Sequence, residues 1–260
     1  IELDWMEMVG LGRAVERVRA AGRRVVVATV RIQKPGEEGY DARIARLKPD
    51  GILVRHFGAL VHFSRMPADS RPILHGDFSL NVTNALTGHL LLDYGLDTVT
   101  ASHDLDEVQL AALLGAMPRG RVGVTVHHHI PTFHTEHCVY AHTLSEGRDF
   151  RTCGRPCESH RVGLRDTKGR VHPVVVDVGC RNTVFNAEAQ SAPTLIERLT
   201  GVGVERLRVE LVWETREEAE RVLSGYRDLL LGRLKPAQLL ARLGVHEQFG
   251  VTAGTMAVLG

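Results

Sequence analysis

The sequence contains no run of about 18 apolar residues, so no segment of it reads as a membrane-spanning helix. No basic, apolar leader of the secretory kind opens it, which sets the expectation of a cytoplasmic protein with no membrane partner. No glycine-rich phosphate loop follows the first strand-like run. No P-loop, Gly-x-Ser-x-Gly elbow or His-Glu-x-x-His helix occurs either. Those absences remove the signatures of dinucleotide binding, P-loop chemistry, serine hydrolases and two-histidine zinc proteases. An excess of either charge is also missing. The 260 residues carry 32 Lys and Arg against 31 Asp and Glu, a net charge of +1. That total neither demands nor excludes nucleic acid, because a basic face can hide in a neutral sum. Cysteine is scarce, with four residues in the whole chain. Disulfide scaffolds are small, secreted and cysteine-dense, so this usage points to metal before disulfides.

What is present is concentrated. All four cysteines fall between Cys138 and Cys180, and six of the fourteen histidines crowd the front of that window. The gaps are fourteen, three and twenty-two residues. Zinc sites favour pairs two to four residues apart, and only Cys153-Gly154-Arg155-Pro156-Cys157 meets that. Iron–sulfur clusters also take four thiolates and tolerate wide loops. A 4Fe-4S cluster, zinc and unliganded cysteines all remain open on spacing. Arg151, Arg155, Arg161 and Arg181 stand near in sequence and would stabilise thiolates.

Around the window, β-branched runs alternate with helical patterns. Strands are expected at 1–6, 24–30, 51–57, 73–80, 98–102, 122–127 and 207–213. Helices are expected at 11–21, 40–47, 84–94, 105–117, 193–200 and 215–231. Units of this spacing fit a parallel sheet in an α/β fold. The fold class is read as a TIM-like (β/α) barrel. Such a ring needs eight strands, and seven are counted. The chain opens at Ile1 inside a strand-like run, so the expectation is a fragment of a longer protein whose first strand lies upstream. A doubly wound sheet is the competing architecture. Residues 1–260 are expected as one barrel domain. A cysteine-rich insertion at 129–181 interrupts it before the last strand, with a hairpin of 160–164 and 174–178 turning at 166–169. Ser102 is expected to cap the helix that follows it, Ala21-Gly22 and Tyr94-Gly95 to stop helices, and the tail 235–260 to strap the barrel.

Polar residues at strand ends would line the mouth of such a barrel, where barrel enzymes place their chemistry. Catalytic candidates are His127, His129, Asp77 and Glu210. A histidine there suits proton transfer, because its intrinsic pKa lies near neutrality. Substrate-binding candidates are Arg31, Arg55, His56, Ser79, Asn81 and His103. Asp4, Glu7, Gln33 and Lys34 sit at comparable positions. Together they would form a mixed-charge cup for a small polar ligand or a nucleobase. His134 and His137 offer a further zinc pair.

The segments HTEHCVYAHTLSEGRDFRTCGRPCESHRVGLRD and DVGCRNTVFNAEAQSA resemble peptidase family U32, the collagenase-like family. LHGDFSLNVTNA and residues 122–128 add to the likeness. The resemblance implies a barrel carrying a 4Fe-4S cluster, and Cys138, Cys153, Cys157 and Cys180 match the motif cysteines by position. It also implies O2-independent hydroxylation, which characterised members perform on tRNA uridine, an rRNA cytidine or the ubiquinone ring, with prephenate linked to several of them. The closer likeness is to the carboxyl-terminal portion of long bacterial members associated with rRNA cytidine hydroxylation. The implied partners are ribosomal RNA, the remaining domains of a longer chain and a prephenate-derived donor. One departure is plain. The usual His-Gly-x-x-Cys after the seventh strand is here His128-His129-Ile130-Pro131-Thr132, without cysteine. Two alternatives stand beside the RNA-modifying reading: a metal-dependent collagenase-like peptidase, and a non-catalytic scaffold barrel stabilised by metal.

Overall fold

Each of the seven runs with strand character contains a strand. The structure is a computed structural model, and it describes residues 1–5, 8–147 and 149–243. These fall into two compact units. The first takes in 1–125 and 198–208, and the second takes in 126–197 and the described residues from 209 onward.

The first unit alternates strand and helix: β1 (Glu2–Leu3), α1 (Met8–Ala20), β2 (Val26–Ala28), α2 (Gly39–Arg46), β3 (Gly51–Val54), α3 (Phe57–Ser64), β4 (Ile73–Gly76), α4 (Ala85–Asp93), β5 (Thr98–Thr100), α5 (Glu107–Ala116) and β6 (Val122–His128). Strands β1 to β6 pair in sequence order, all parallel. Their side chains are apolar on both faces, as a helix-covered parallel sheet requires. Val27, Ile52, Leu53, Val54, Leu74, Val99 and Val124 are buried.

Helix ends follow local chemistry. Gly22 and Gly95 adopt φ of +67° and +108°. Arg23 N–H then closes on the Val18 carbonyl, and Leu96 N–H on that of Leu91. These are the expected glycine stops. The expected Ser102 cap is not used for α5. Asp106 forms the capping box, with Gln109. The Ser102 hydroxyl bonds instead to Asn81 and Asp104 in the preceding turn. Helix α3 lacks a Ser, Thr, Asn or Asp cap and follows directly on a strand, so the sequence pattern hid it. His56 caps it, with Nδ1 accepting from Ala59 N–H at 3.1 Å.

The second unit contains β7 (Pro131–Thr135), α6 (Val139–Leu144), β8 (Val162–Arg165), β9 (Val171–Val176), β10 (Asn182–Phe185) and β11 (Gln190–Ser191). It therefore holds the whole of the expected insertion. The expected hairpin is β8–β9, with Val162 opposite Val174 and Arg165 opposite Val171. Asp166 Oδ1 accepts from Lys168 N–H and Arg170 N–H at the turn. The hairpin is half of a four-stranded antiparallel sheet in the order β7-β10-β9-β8. Tyr140, Val174, Val176 and Val184 form a small core under it, and Cys138, Cys157 and Val162 pack against that core.

Helix α7 (Ile196–Gly201) precedes β12 (Arg206–Val209), which pairs with β6. Glu2 on β1 then meets Arg206 at 3.4 Å and Arg208 at 2.8 Å, both on β12. These strands stand at opposite ends of the order β1-β2-β3-β4-β5-β6-β12. The first unit is thus a mixed α/β structure with a curled, mostly parallel sheet. Helix α8 (Arg216–Leu230) opens on a Thr215/Glu218 capping box, and α9 (Pro236–Arg242) packs Leu239 against Gly225 of α8. The expected strap beyond 243 lies outside the described residues, as does Glu7. Among the described residues no helix is long and apolar enough to cross a membrane.

Candidate functional site

The strand ends of the first unit converge on Asp77, which follows β4 and is fully buried. Its Oδ1 accepts from Arg208 Nη1 at 2.6 Å. Its Oδ2 accepts from Arg55 Nε and the Ser79 hydroxyl, each at 3.3 Å. Arg55, after β3, also donates to Asp4 at 2.8 Å and to the Thr29 carbonyl at 3.3 Å. Beside them the Arg31 guanidinium lies 5.5 Å from the centre of the Phe78 ring. His103 stacks on Phe78 with ring centres 4.0 Å apart. Five expected site residues therefore come together: Asp77, Arg55, Ser79, Arg31 and His103. The other two do structural work. His56 caps α3, and Asn81, at a left-handed φ of +58°, accepts from Ser102.

The electrostatics redefine the role expected of Asp77. Burial alone would raise its pKa, but Arg208 and Arg55 outweigh burial and hold it well below the usual carboxylate range. A carboxylate with both oxygens occupied and its proton affinity suppressed is a poor general base. It is an anchor for two guanidiniums. Burial pushes His103 down to about 4, so it is neutral near pH 7. The sequence reading missed Arg208 and Glu2. The signal was the alternation of Arg206 and Arg208 with Leu207 and Val209, which sets two cations on one face of a strand.

In the second unit the histidines at the end of β6 part company. His127 is buried, lies edge-on to Tyr226 with centres 6.1 Å apart, and is pushed down to about 4 by burial. Its carbonyl accepts from Glu210 N–H at 2.8 Å, which places those two candidates side by side. His129 has both nitrogens against acceptors: Nδ1 lies 2.8 Å from the Asn186 carbonyl and Nε2 lies 3.1 Å from Glu214 Oε1. Burial opposes its charge, but Glu214 and Asn186 prevail and its pKa is raised. Glu214 falls to about 2, because its bond to His129 and two backbone bonds outweigh burial. His129 is thus a charged link inside the fold, without the spare nitrogen that proton transfer needs.

The four cysteines are free thiols of this same unit, three on loops and Cys157 in a short 3-10 turn, Pro156–Glu158. Cys138 precedes α6. Cys153 and Cys157 flank two successive left-handed residues, Gly154 at φ +67° and Arg155 at φ +52°. Cys180 sits at φ +63° in a tight turn, where Asp177 Oδ1 accepts from Gly179 N–H and Arg181 N–H. Cys138, Cys153 and Cys180 line a pocket of about 580 Å³, shared with Glu136, His137 and His142. Cys157 packs next to Cys138 on the small core. Burial raises the pKa of Cys180, and each of the other three thiols raises it further. Burial, then Cys138 and Cys153, likewise raise that of Cys157. His134 bonds to Thr183 at 2.9 Å.

Four thiols are a soft donor set of the kind that iron–sulfur clusters and zinc take. Among the described residues no three His, Cys, Asp or Glu side chains close on a single ion. Compared with known proteins, residues 4–238 match the family model described as peptidase family U32. No curated protein and no solved structure matches the chain.

Proposed function

The chain belongs to peptidase family U32, and we propose that it is an iron–sulfur-dependent RNA-modification domain. In this reading it serves O2-independent hydroxylation of a nucleobase, an rRNA cytidine first among the candidates. Three free thiols that line one pocket of the second unit, with Cys157 within electrostatic reach of them, carry the proposal. Cys138, Cys153, Cys157 and Cys180 would hold a 4Fe-4S cluster, with zinc as the alternative. Such a cluster supplies one-electron chemistry that needs no O2.

The remaining roles belong to the chain itself. Arg161 lies over the Trp213 ring at 5.6 Å and Arg151 over Phe150 at 5.3 Å. Paired cations and aromatic faces suit single-stranded RNA, since every base has a face to stack and every linkage a negative charge. In the first unit, the curled sheet supports a TIM-like barrel as the frame. There Asp77 would orient Arg55 and Arg208, while Arg31, Ser79 and His103 contact substrate. His127 and Glu210 are the catalytic candidates in the second unit. A prephenate-derived oxygen donor follows from the family likeness. The metal-dependent peptidase reading has less support, because it needs one ion with an open position.

The test is anaerobic incubation of the reconstituted protein with unmodified rRNA and prephenate as source of the oxygen donor, followed by nucleoside mass analysis. The proposal expects a gain of one oxygen on a cytidine, lost in Cys153→Ala. Release of peptides from gelatin with no change in the RNA would overturn it.

A further inference from the structure

Asn182 opens β10 and is fully buried. Its Oδ1 accepts from the N–H of Val139, the residue after Cys138, at 2.9 Å. Its Nδ2 donates to the carbonyl of Cys180 at 3.2 Å. One side chain therefore bonds the backbone beside two cysteines that are remote in sequence. The pairing of Asn182 with Thr135 across β7 and β10 brings the same segments together. So does buried Arg181, whose Nε donates to Glu136 at 2.9 Å.

The residue type fits the task. A buried N–H and a buried carbonyl each need a partner, or each costs desolvation free energy. Asparagine offers an acceptor and a donor on one short uncharged arm. Cys153 lies on a loop organised from within: Asp149 Oδ1 accepts from Arg151 N–H, Thr152 N–H and the Thr152 hydroxyl. The same loop's Cys153 N–H closes on the Asp149 carbonyl. The two halves of the thiol set thus have different supports.

We propose that Asn182 is a positioning residue that fixes Cys138 and Cys180 relative to each other before any group binds. The inference rests on the reading of the four thiols as one ligand set, but its test does not require that group. The full chain, free of metal and reduced, is alkylated with iodoacetamide under native anaerobic conditions, and each cysteine is followed by peptide mass mapping. In Asn182→Ala, the rates at Cys138 and Cys180 should rise about tenfold, the size expected when an ordinary hydrogen bond no longer closes a loop. Those at Cys153 and Cys157 should stay within about twofold, since hydrogen bonds beyond their own loop are untouched. Asn182→Asp keeps the acceptor for Val139 and loses the donor to Cys180, so Cys180 should accelerate and Cys138 should not. That variant carries the test alone if the alanine variant does not fold. Unchanged rates, or a rise at all four cysteines together, would overturn the proposal. Failure of the cluster reading is seen separately, as wild-type protein that takes up no iron and sulfide while the alkylation pattern stands.

Discussion

At the scale of single residues, the most consequential group is Asp77, because a buried carboxylate shared by two guanidiniums cannot be removed quietly. Asp77→Asn keeps the shape but leaves Arg55 and Arg208 short of counter-charge. Breaking a buried pair from one side costs roughly 3 kcal/mol or more. Ser79→Ala, which removes one hydroxyl shared between the Arg55 carbonyl at 2.9 Å and Asp77 at 3.3 Å, should cost only about 1 kcal/mol. Urea unfolding of the two variants checks that order, and equal costs would contradict the anchoring role. The His129–Glu214 pair gives a pH signature. The raised His129 pKa means that its contribution is complete below the ordinary 6.5 and is lost as pH climbs through the folded value. The lowered Glu214 pKa means that its contribution is complete above the ordinary 4.5 and is lost as pH falls towards 2. The stability difference between wild type and Glu214→Gln should therefore be greatest from pH 4.5 to 6.5 and shrink on both sides. A difference independent of pH would rule the ion pair out. The grouping at this scale was legible beforehand. Strand-end position and chemistry pointed to Asp77, Arg55, Arg31, Ser79 and His103. The fate of His129 was not legible, because its partners Asn186 and Glu214 are far along the chain.

At the scale of elements, hydrophobic patterning located seven of the eight strands of the curled sheet, the β8–β9 hairpin and the six longer helical patterns. It missed α3, α6, α9, β7, β10 and β11. Helix α3 has eight residues and α6 six, too short to show a helical period against the flanking strands. Strand β10 is buried along its whole length and so shows no alternation. Strand β7 carries a proline and a histidine among its five residues. What ties α6 to the readable hairpin is its Tyr140. Its hydroxyl donates to the Val174 carbonyl at 2.8 Å and accepts from Val162 N–H at 3.2 Å. Tyr140→Phe leaves both groups short of a partner and should cost about 1–3 kcal/mol. Amide exchange at Val162 should quicken ahead of the rest of the sheet. Exchange that is unaltered there would show that the hairpin is held elsewhere.

At the scale of the whole molecule, the near-neutral total charge hid an uneven distribution. The stretch 151–170 holds Arg151, Arg155, Arg161, Arg165, Lys168 and Arg170 against two acidic residues, Glu158 and Asp166. If that stretch meets RNA, affinity for a single-stranded oligonucleotide should fall steeply with salt. Arg161→Ala should flatten the slope of log K against log salt by about 1, as expected for one lost phosphate contact. A slope identical to wild type would remove Arg161 from the contact surface. Family membership was legible because the cysteine window is a dense local signal. The four thiols were expected as one ligand set through that likeness, but how the chain holds them was not legible, since no periodicity encodes loops.

That ligand set is the central claim, and the most direct measurement is the visible spectrum of the anaerobically purified protein, taken with iron and sulfide analysis on the same sample. The account predicts a brown protein with about four irons and four sulfides per chain. A colourless protein carrying one zinc per chain and no sulfide would contradict it.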